Sequence, residues 1–193
     1  MNKLMLVDVD GVLLDWEYSF DRFMKDRGHS KVLGGESKYD IGKRYGISTE
    51  KGRELIETFN ESAHIGFLPP YKDSVYYVKK LHEECGIVFH AITSLSVDHD
   101  AYRLRKMNLE KLFGETVFQE LTCLDTGADK DDALAPYKDS GLYFVEDKIL
   151  NAETGASLGL SSILMQHSHN TDYNGNVPVV KNWHDIYNIV VGN

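Results

Sequence analysis

The sequence predicts an α/β fold with a mostly parallel sheet, and three observations carry that reading. The chain opens on Leu4-Met5-Leu6-Val7, a short apolar run that stops at Asp8; such a run reads as a strand buried on both faces, as parallel sheets require. Similar runs recur at 86–92, 141–145 and 162–165, with a weaker one at 116–121. Helical spacings lie between them: Val75, Val78 and Leu81; Leu104, Met107 and Leu109, ending near Gly114; Ile149, Ala152 and Ala156. Strands alternating with helices define this class.

Composition bounds the rest. At 193 residues, 42% hydrophobic and 26% charged, the chain suits one domain of ordinary size or a core with a small insertion, and is too apolar for disorder. Lys plus Arg total 21 against 30 Asp plus Glu, a net charge of -9, which argues against duplex nucleic acid and anionic membranes as partners. Cys85 and Cys123 offer neither a disulfide framework nor zinc spacing and read as buried thiols in a reducing compartment. No apolar run approaches the ~18 residues of a membrane span. The apolar start meets two aspartates too early for a signal peptide. The expectation is a cytoplasmic protein.

Taken in order, the first strand is followed by an anomaly. Roughly 75 residues separate it from the second, where one crossover needs about 20 to 30. The excess is helical in pattern. Trp16, Phe20, Phe23 and Met24 share one apolar face closed by Gly28, and Ser48 or Thr49 can cap a helix carrying Leu55, Ile56 and Phe59. Gly34-Gly35 and Pro69-Pro70 punctuate it. The reading is a helical insertion at 17–71 over the strand ends, and a core made of 1–16 and 72–193. Tyr39, Lys43, Arg44, Tyr45, Arg53, Phe67 and Tyr71 lie in that insertion; its aromatics could stack on a base and its basic residues meet a second anionic group, but the simpler reading is the insertion's own core and solvated face. Further along, Asp98 and Asp100 cap a helix from near Ala101, on which Arg103, Arg105 and Lys106 read as a solvated face. His167-Ser168-His169 reads as a loop after the last core strand, and Trp183, Ile186, Ile189 and Val190 as a closing helix.

The chemistry concentrates at strand ends. Asp8-Val9-Asp10-Gly11-Val12 places two carboxylates at the end of the first strand, where like charges raise one another's pKa or bind a cation. Ligands of open parallel sheets bind at the carboxyl ends of the strands, and Gly11 lets the chain turn there. The acids of a calcium loop are missing from the later positions. The second strand ends at Thr93-Ser94, whose hydroxyls suit phosphate oxygens. Lys130 opens a helical stretch at 131–137 and can neutralise a phosphoryl group. The fourth strand ends at Glu146-Asp147, a plausible Mg²⁺ site, with Asn151 four residues on. Acid pair, hydroxyl, lysine and acid pair, each after a strand, form an ordered set.

In this order the residues resemble the haloacid dehalogenase (HAD) superfamily over nearly the whole chain. An apolar strand before Asp-x-Asp-Gly matches Leu4 to Val12, and Thr93, Lys130 and the Glu146-Asp147 pair match the three later motifs; Asn151 stands where relatives often carry Asp. The long first insertion is similar to the helical cap of one branch, and with Lys181-Asn182-Trp183-His184-Asp185-Ile186 it resembles the branch of 5'-nucleotidases and deoxyribonucleotidases.

That resemblance implies a Rossmann-like core with a cap, and a Mg²⁺-dependent phosphatase that acts on small soluble phosphomonoesters, nucleoside 5'-monophosphates among them, through an aspartyl-phosphate. It implies Asp8 as nucleophile and Asp10 as proton donor and acceptor. Thr93, Ser94 and Lys130, with Gly11, would bind phosphate. Asp8, Asp10 through its backbone carbonyl, Glu146 and Asp147 would hold the metal. Relatives that cleave carbon–halogen bonds lack the second aspartate, so Asp10 favours phosphate esters. The alternatives are a phosphomutase using the same aspartyl-phosphate and a silent binding module. The oligomeric state is open.

Overall fold

The computed structural model describes residues 3–192; positions 1, 2 and 193 of the expected core lie outside the described residues. Six strands form one sheet in the order β3-β2-β1-β4-β5-β6, every neighbouring pair parallel. They are β1 (Leu4–Val7), β2 (Val88–Thr93), β3 (Phe118–Cys123), β4 (Tyr143–Glu146), β5 (Ser161–Met165) and β6 (Val179–Val180). Strand β1 pairs with β2 through Leu6 and His90, and with β4 through Leu6 and Phe144. Met5, Leu6 and Val7 are buried because both sheet faces are covered, which is why the run shows no polar alternation. The two-residue β6 was not legible: Val179-Val180 is too short for a pattern, and it forms only by pairing with Leu164 and Met165.

The chain winds from β1 outward through β2 to β3, then returns to the other side of β1 as β4. Strand order reverses there, so a crevice opens beyond the carboxyl ends of β1 and β4. The acids of the first and fourth motifs flank that crevice.

Helices α1 (Trp16–Asp26), α2 (Ile41–Tyr45) and α3 (Thr49–Asn60) lie in the first part of the span between β1 and β2. Side chains of Asp15, Asp40 and Ser48 cap them by accepting from the amides of Tyr18, Lys43 and Lys51. Phe20, Phe23 and Phe59 are fully buried, with Trp16 stacked on Phe20 at 4.5 Å and Phe59 edge-on at 5.3 Å. Entry and exit of the segment run side by side: the Asp15 amide donates to the Pro69 carbonyl at 2.8 Å and the Tyr71 amide to the Leu13 carbonyl at 3.0 Å. The segment's apolar side chains join the same hydrophobic cluster as Val7, Phe89 and Trp183.

The remaining helices are α4 (Ser74–Cys85), α5 (His99–Phe113), α6 (Asp131–Leu134), α7 (Ile149–Ser157) and α8 (Trp183–Val191). Asp98 caps α5 through the amides of Asp100 and Ala101. Trp183 anchors α8 by donating its indole N–H to the Val12 carbonyl at 2.8 Å, beside the β1 loop. On α5 the expected faces are corrected. Arg105 is fully buried rather than solvated, and Met107 is 42% exposed rather than inward. The inward face runs Ala101, Arg105, Asn108, Leu109 and Phe113, a helical stripe in which two positions are polar. Both cysteines are partly exposed rather than buried. Among the described residues no helix is long and apolar enough to cross a membrane.

Candidate active site

Strand β1 delivers Asp8 to the crevice, and the Asp8 amide donates to the Val145 carbonyl at 2.9 Å, tying the ends of β1 and β4 together. Asp8 is only 6% exposed. Lys130 Nζ sits 2.6 Å from Asp8 Oδ1 and 2.6 Å from Glu146 Oε2, and is itself buried. The other Glu146 oxygen accepts from the amides of Asp147 and Lys148 at 3.2 and 3.0 Å. Asp8, Glu146 and Asp147 each present a carboxylate oxygen within 4.8 Å of the others.

One ammonium among three carboxylates leaves the cluster short of positive charge. Burial, then the Glu146 charge, pushes the Asp8 carboxyl up to about 7 against the partial relief from Lys130. Burial, with Glu146 and Asp8, raises Asp147 well above the usual carboxylate range. Burial would lower Lys130, but Asp8 and Glu146 outweigh it and hold the ammonium above its ordinary value. An all-oxygen cluster with excess negative charge fits a hard divalent cation such as Mg²⁺. Asp8 and Asp147 are the residues with carboxylate to spare, since Glu146 already has both oxygens engaged.

Gly11 adopts φ +82°, and a Cβ there would lie 2.3 Å from Asp147 Oδ2. Only glycine lets the β1 loop pass so close to that carboxylate. Its amide donates to the Leu14 carbonyl at 3.0 Å, so Gly11 contributes clearance rather than a donor aimed at phosphate. Thr93 is buried, and its hydroxyl has no hydrogen-bond partner. The Ser94 hydroxyl donates to the Ala128 carbonyl at 2.7 Å. Asp8, Asp10, Gly11, Thr93, Ser94, Lys130, Glu146, Asp147 and Asn151 all line one cavity of 260 Å³.

Asp10 faces the other way in charge. Arg105 Nη2 donates to its Oδ2 at 2.8 Å, and Nη1 approaches Oδ1 at 2.7 Å as an off-line ion contact that is not a second aligned hydrogen bond. The guanidinium Nε has no partner. Sequence reasoning missed Arg105. The available signal was its spacing from Ala101 and Leu109, which puts an arginine on the apolar stripe of α5.

The loop after β5 was also missed as part of the site. His167 Nε2 lies 2.6 Å from the Gly11 carbonyl, and Asn170 Nδ2 donates to the Asp147 carbonyl at 2.8 Å and to Met165 at 2.9 Å. His169 lies beside Asp147, its Nε2 3.7 Å from Oδ2. Burial and the neighbouring His167 hold the His169 imidazole below its ordinary value. Trp16 and, from the helical segment, Tyr39, Ile41 and Arg44 complete the lining, with Tyr39 against His169. Arg44 is buried, with Nη1 2.9 Å from Glu17. Of the insertion residues weighed between ligand contact and core or solvated face, Tyr39, Arg44 and Tyr71 line the cavity.

No protein-family profile matches the chain. An uncharacterized 32.4 kDa protein of the Gp30-rIII intergenic region of Enterobacteria phage T4 is 34% identical over 128 residues, which cover 64% of this chain and 45% of that protein. The chain thus matches less than half the length of that relative. Among solved structures, a HAD-superfamily hydrolase from Ehrlichia chaffeensis superposes with a TM-score of 0.61 at 15% identity, covering 98% of this chain and 96% of that one. The D,D-heptose 1,7-bisphosphate phosphatase from B. bronchiseptica, solved with magnesium and phosphate, gives 0.62 at 12% identity, covering 99% of each chain. Sheet order, acid-bearing strand ends and full-length superposition agree: the chain has the fold of the haloacid dehalogenase superfamily of hydrolases.

Proposed function

We propose that the protein is a Mg²⁺-dependent phosphatase that hydrolyses small soluble phosphomonoesters, nucleoside 5'-monophosphates among them, through an aspartyl-phosphate. One observation carries the reading. A buried carboxylate at the end of β1 shares a cavity with a buried lysine, an unpartnered buried hydroxyl and a second acid pair. A neighbour of the same fold holds magnesium and phosphate, and this donor set suits the same two ions. The helical segment 17–71 acts as a cap that keeps macromolecular esters out. The two unpaired cysteines suit a cytoplasmic setting.

An Asp8 oxygen attacks phosphorus and forms an acyl-phosphate as the bond to the leaving oxygen breaks. Asp10 gives that oxygen its proton. Asp10 then takes a proton from the water that attacks phosphorus, and the bond to Asp8 breaks to release inorganic phosphate. Lys130 and the Thr93 hydroxyl hold phosphoryl oxygens and stabilise charge in both transition states. Mg²⁺ held by Asp8 and Asp147 would offset repulsion between the anionic nucleophile and the anionic substrate. Glu146 keeps Lys130 in place.

The test is phosphate release with Mg²⁺ over a phosphoester panel. Activity is expected to vanish in chelator and return with Mg²⁺. Asp8→Asn is expected to abolish turnover while the protein stays folded. Metal-independent release, or substantial turnover by Asp8→Asn, overturns the proposal.

A further inference from the structure

We infer that the leaving-group half of the cavity is a ring-lined slot, selective for phosphomonoesters whose alcohol carries a flat unsaturated ring and poor at accepting polyol phosphates. The inference rests on the phosphatase reading above and names the substrate class for it. Four rings line one wall in succession. Tyr39 lies 5.3 Å from His169, His169 is stacked 5.8 Å from His167, and His167 lies 5.5 Å from Tyr71. All four border the cavity. The two tyrosines come from the segment between β1 and β2, the two histidines from the loop after β5.

The wall starts at the phosphate end. His167 Nε2 meets the Gly11 carbonyl at 2.6 Å, and His169 Nε2 lies 3.4 Å from the Asp147 carbonyl. A carbonyl can only accept, so the His167 proton sits on Nε2 and the ring is fixed in orientation. The imidazoles therefore stand directly beside the two acid-bearing loops, where a ring one or two bonds from the phosphoester oxygen would meet them.

Three polar side chains of the same half, Asn60, Thr126 and Arg44, already spend their hydrogen bonds within the protein. Asn60 accepts from the Trp16 indole at 3.0 Å and donates to the Leu95 carbonyl at 2.8 Å. Thr126 donates to that same carbonyl at 2.6 Å. Arg44 gives Nε to the Lys38 carbonyl and Nη1 to Glu17. The many hydroxyls of a polyol taken from water into this space would find few partners beyond the two tyrosine hydroxyls, which costs binding. A flat ring needs none and gains stacking area.

The experiment compares kcat/KM for benzyl phosphate and pyridylmethyl phosphate with that for glycerol phosphate and glucose phosphate. All are esters of alkyl alcohols, so leaving-group chemistry is similar. The ring-bearing esters are expected to lead by about 10-fold or more, mainly through KM, and Tyr71→Leu and Tyr39→Leu to narrow that ratio. Equal or better hydrolysis of the polyol esters overturns the slot, as does a ratio unchanged in both variants. If no ester is hydrolysed, the phosphatase reading fails and the slot is judged by binding alone. Calorimetry with benzylphosphonate and 3,4-dihydroxybutylphosphonate then decides: about 10-fold tighter benzylphosphonate supports it, equal affinities overturn it.

Discussion

Arg105 and Asp10 form a pair whose two members differ in how well water can rescue them, and this gives an asymmetric prediction. The guanidinium is 0% exposed and the Asp10 side chain 21% exposed. Asp10→Asn leaves a full positive charge in the interior facing a neutral amide that can accept one hydrogen bond. Losing one partner of a buried pair costs about 3–5 kcal/mol, because the stranded charge stays desolvated. Arg105→Met strands a carboxylate that water can still reach, so its cost is expected to be smaller, about 1–3 kcal/mol. Asp10→Asn also removes a repulsion toward Asp8, but that charge acts at longer range than the 2.7 Å contact with Arg105, so the net effect remains destabilising. The double variant should recover much of the loss, with a coupling of about 2 kcal/mol or more. Urea denaturation at neutral pH in chelator measures all four corners of the cycle. Asp10→Asn within about 1 kcal/mol of the parent, or additive losses, would show that Arg105 is not a buried charge dependent on Asp10.

The acid cluster makes stability depend on pH in an unusual direction. Asp8 is raised from 3.8 to about 7 and Asp147 also lies above 3.8, so the folded protein binds more protons than the unfolded chain between those limits. The associated stability is fully present below about 4 and is lost as pH rises through about 7, by up to about 4 kcal/mol for Asp8. Lys130 is raised and so stabilises throughout this window. The Tm of metal-free protein is therefore expected to fall from pH 5 to pH 8, and Mg²⁺ to flatten the fall; a metal-free Tm that climbs over that range contradicts the placement of the acids. Gly11→Ala puts a methyl on Asp147 Oδ2 and an L-residue in the left-handed region, for about 1–2 kcal/mol of strain. It should weaken Mg²⁺ activation at least about 10-fold while the protein remains folded, and an unchanged Mg²⁺ titration would refute the clearance role.

What the sequence reveals of this site follows contact distance along the chain. Asp8, Asp10 and the Glu146-Asp147 pair are legible because each ends an apolar run, and a strand end in a parallel sheet is a place where ligands bind. Ser48 and Asp98 are legible as caps because capping acts within three residues. Arg105 is not, because its meaning depends on a partner 95 positions away, and an arginine among Arg103 and Lys106 looks like one more solvated charge. His167 fails for the same reason, since its partner carbonyl at Gly11 lies 156 positions away. Gly11 is legible as a turn residue, but the reason a methyl cannot stand there is Asp147, which only the tertiary fold brings near.

Two aspartates separated by one valine thus receive opposite electrostatic settings from opposite sides of the molecule. Asp8 points among Glu146 and Asp147 with one lysine between them, a setting that favours adding a cation. Asp10 points at a buried guanidinium from α5, a setting already balanced. The β1 loop can serve both because the Asp8 amide is tied to β4 at Val145 while Arg105 reaches Asp10 from α5. A carboxylate short of positive charge suits a nucleophile that needs a metal partner to approach an anion. A carboxylate held by a fixed guanidinium keeps one position, as a group acting in two half-reactions must. The two charge settings support the division of labour proposed for the two acids: removing Lys130 or removing Arg105 should impair a different step in each case.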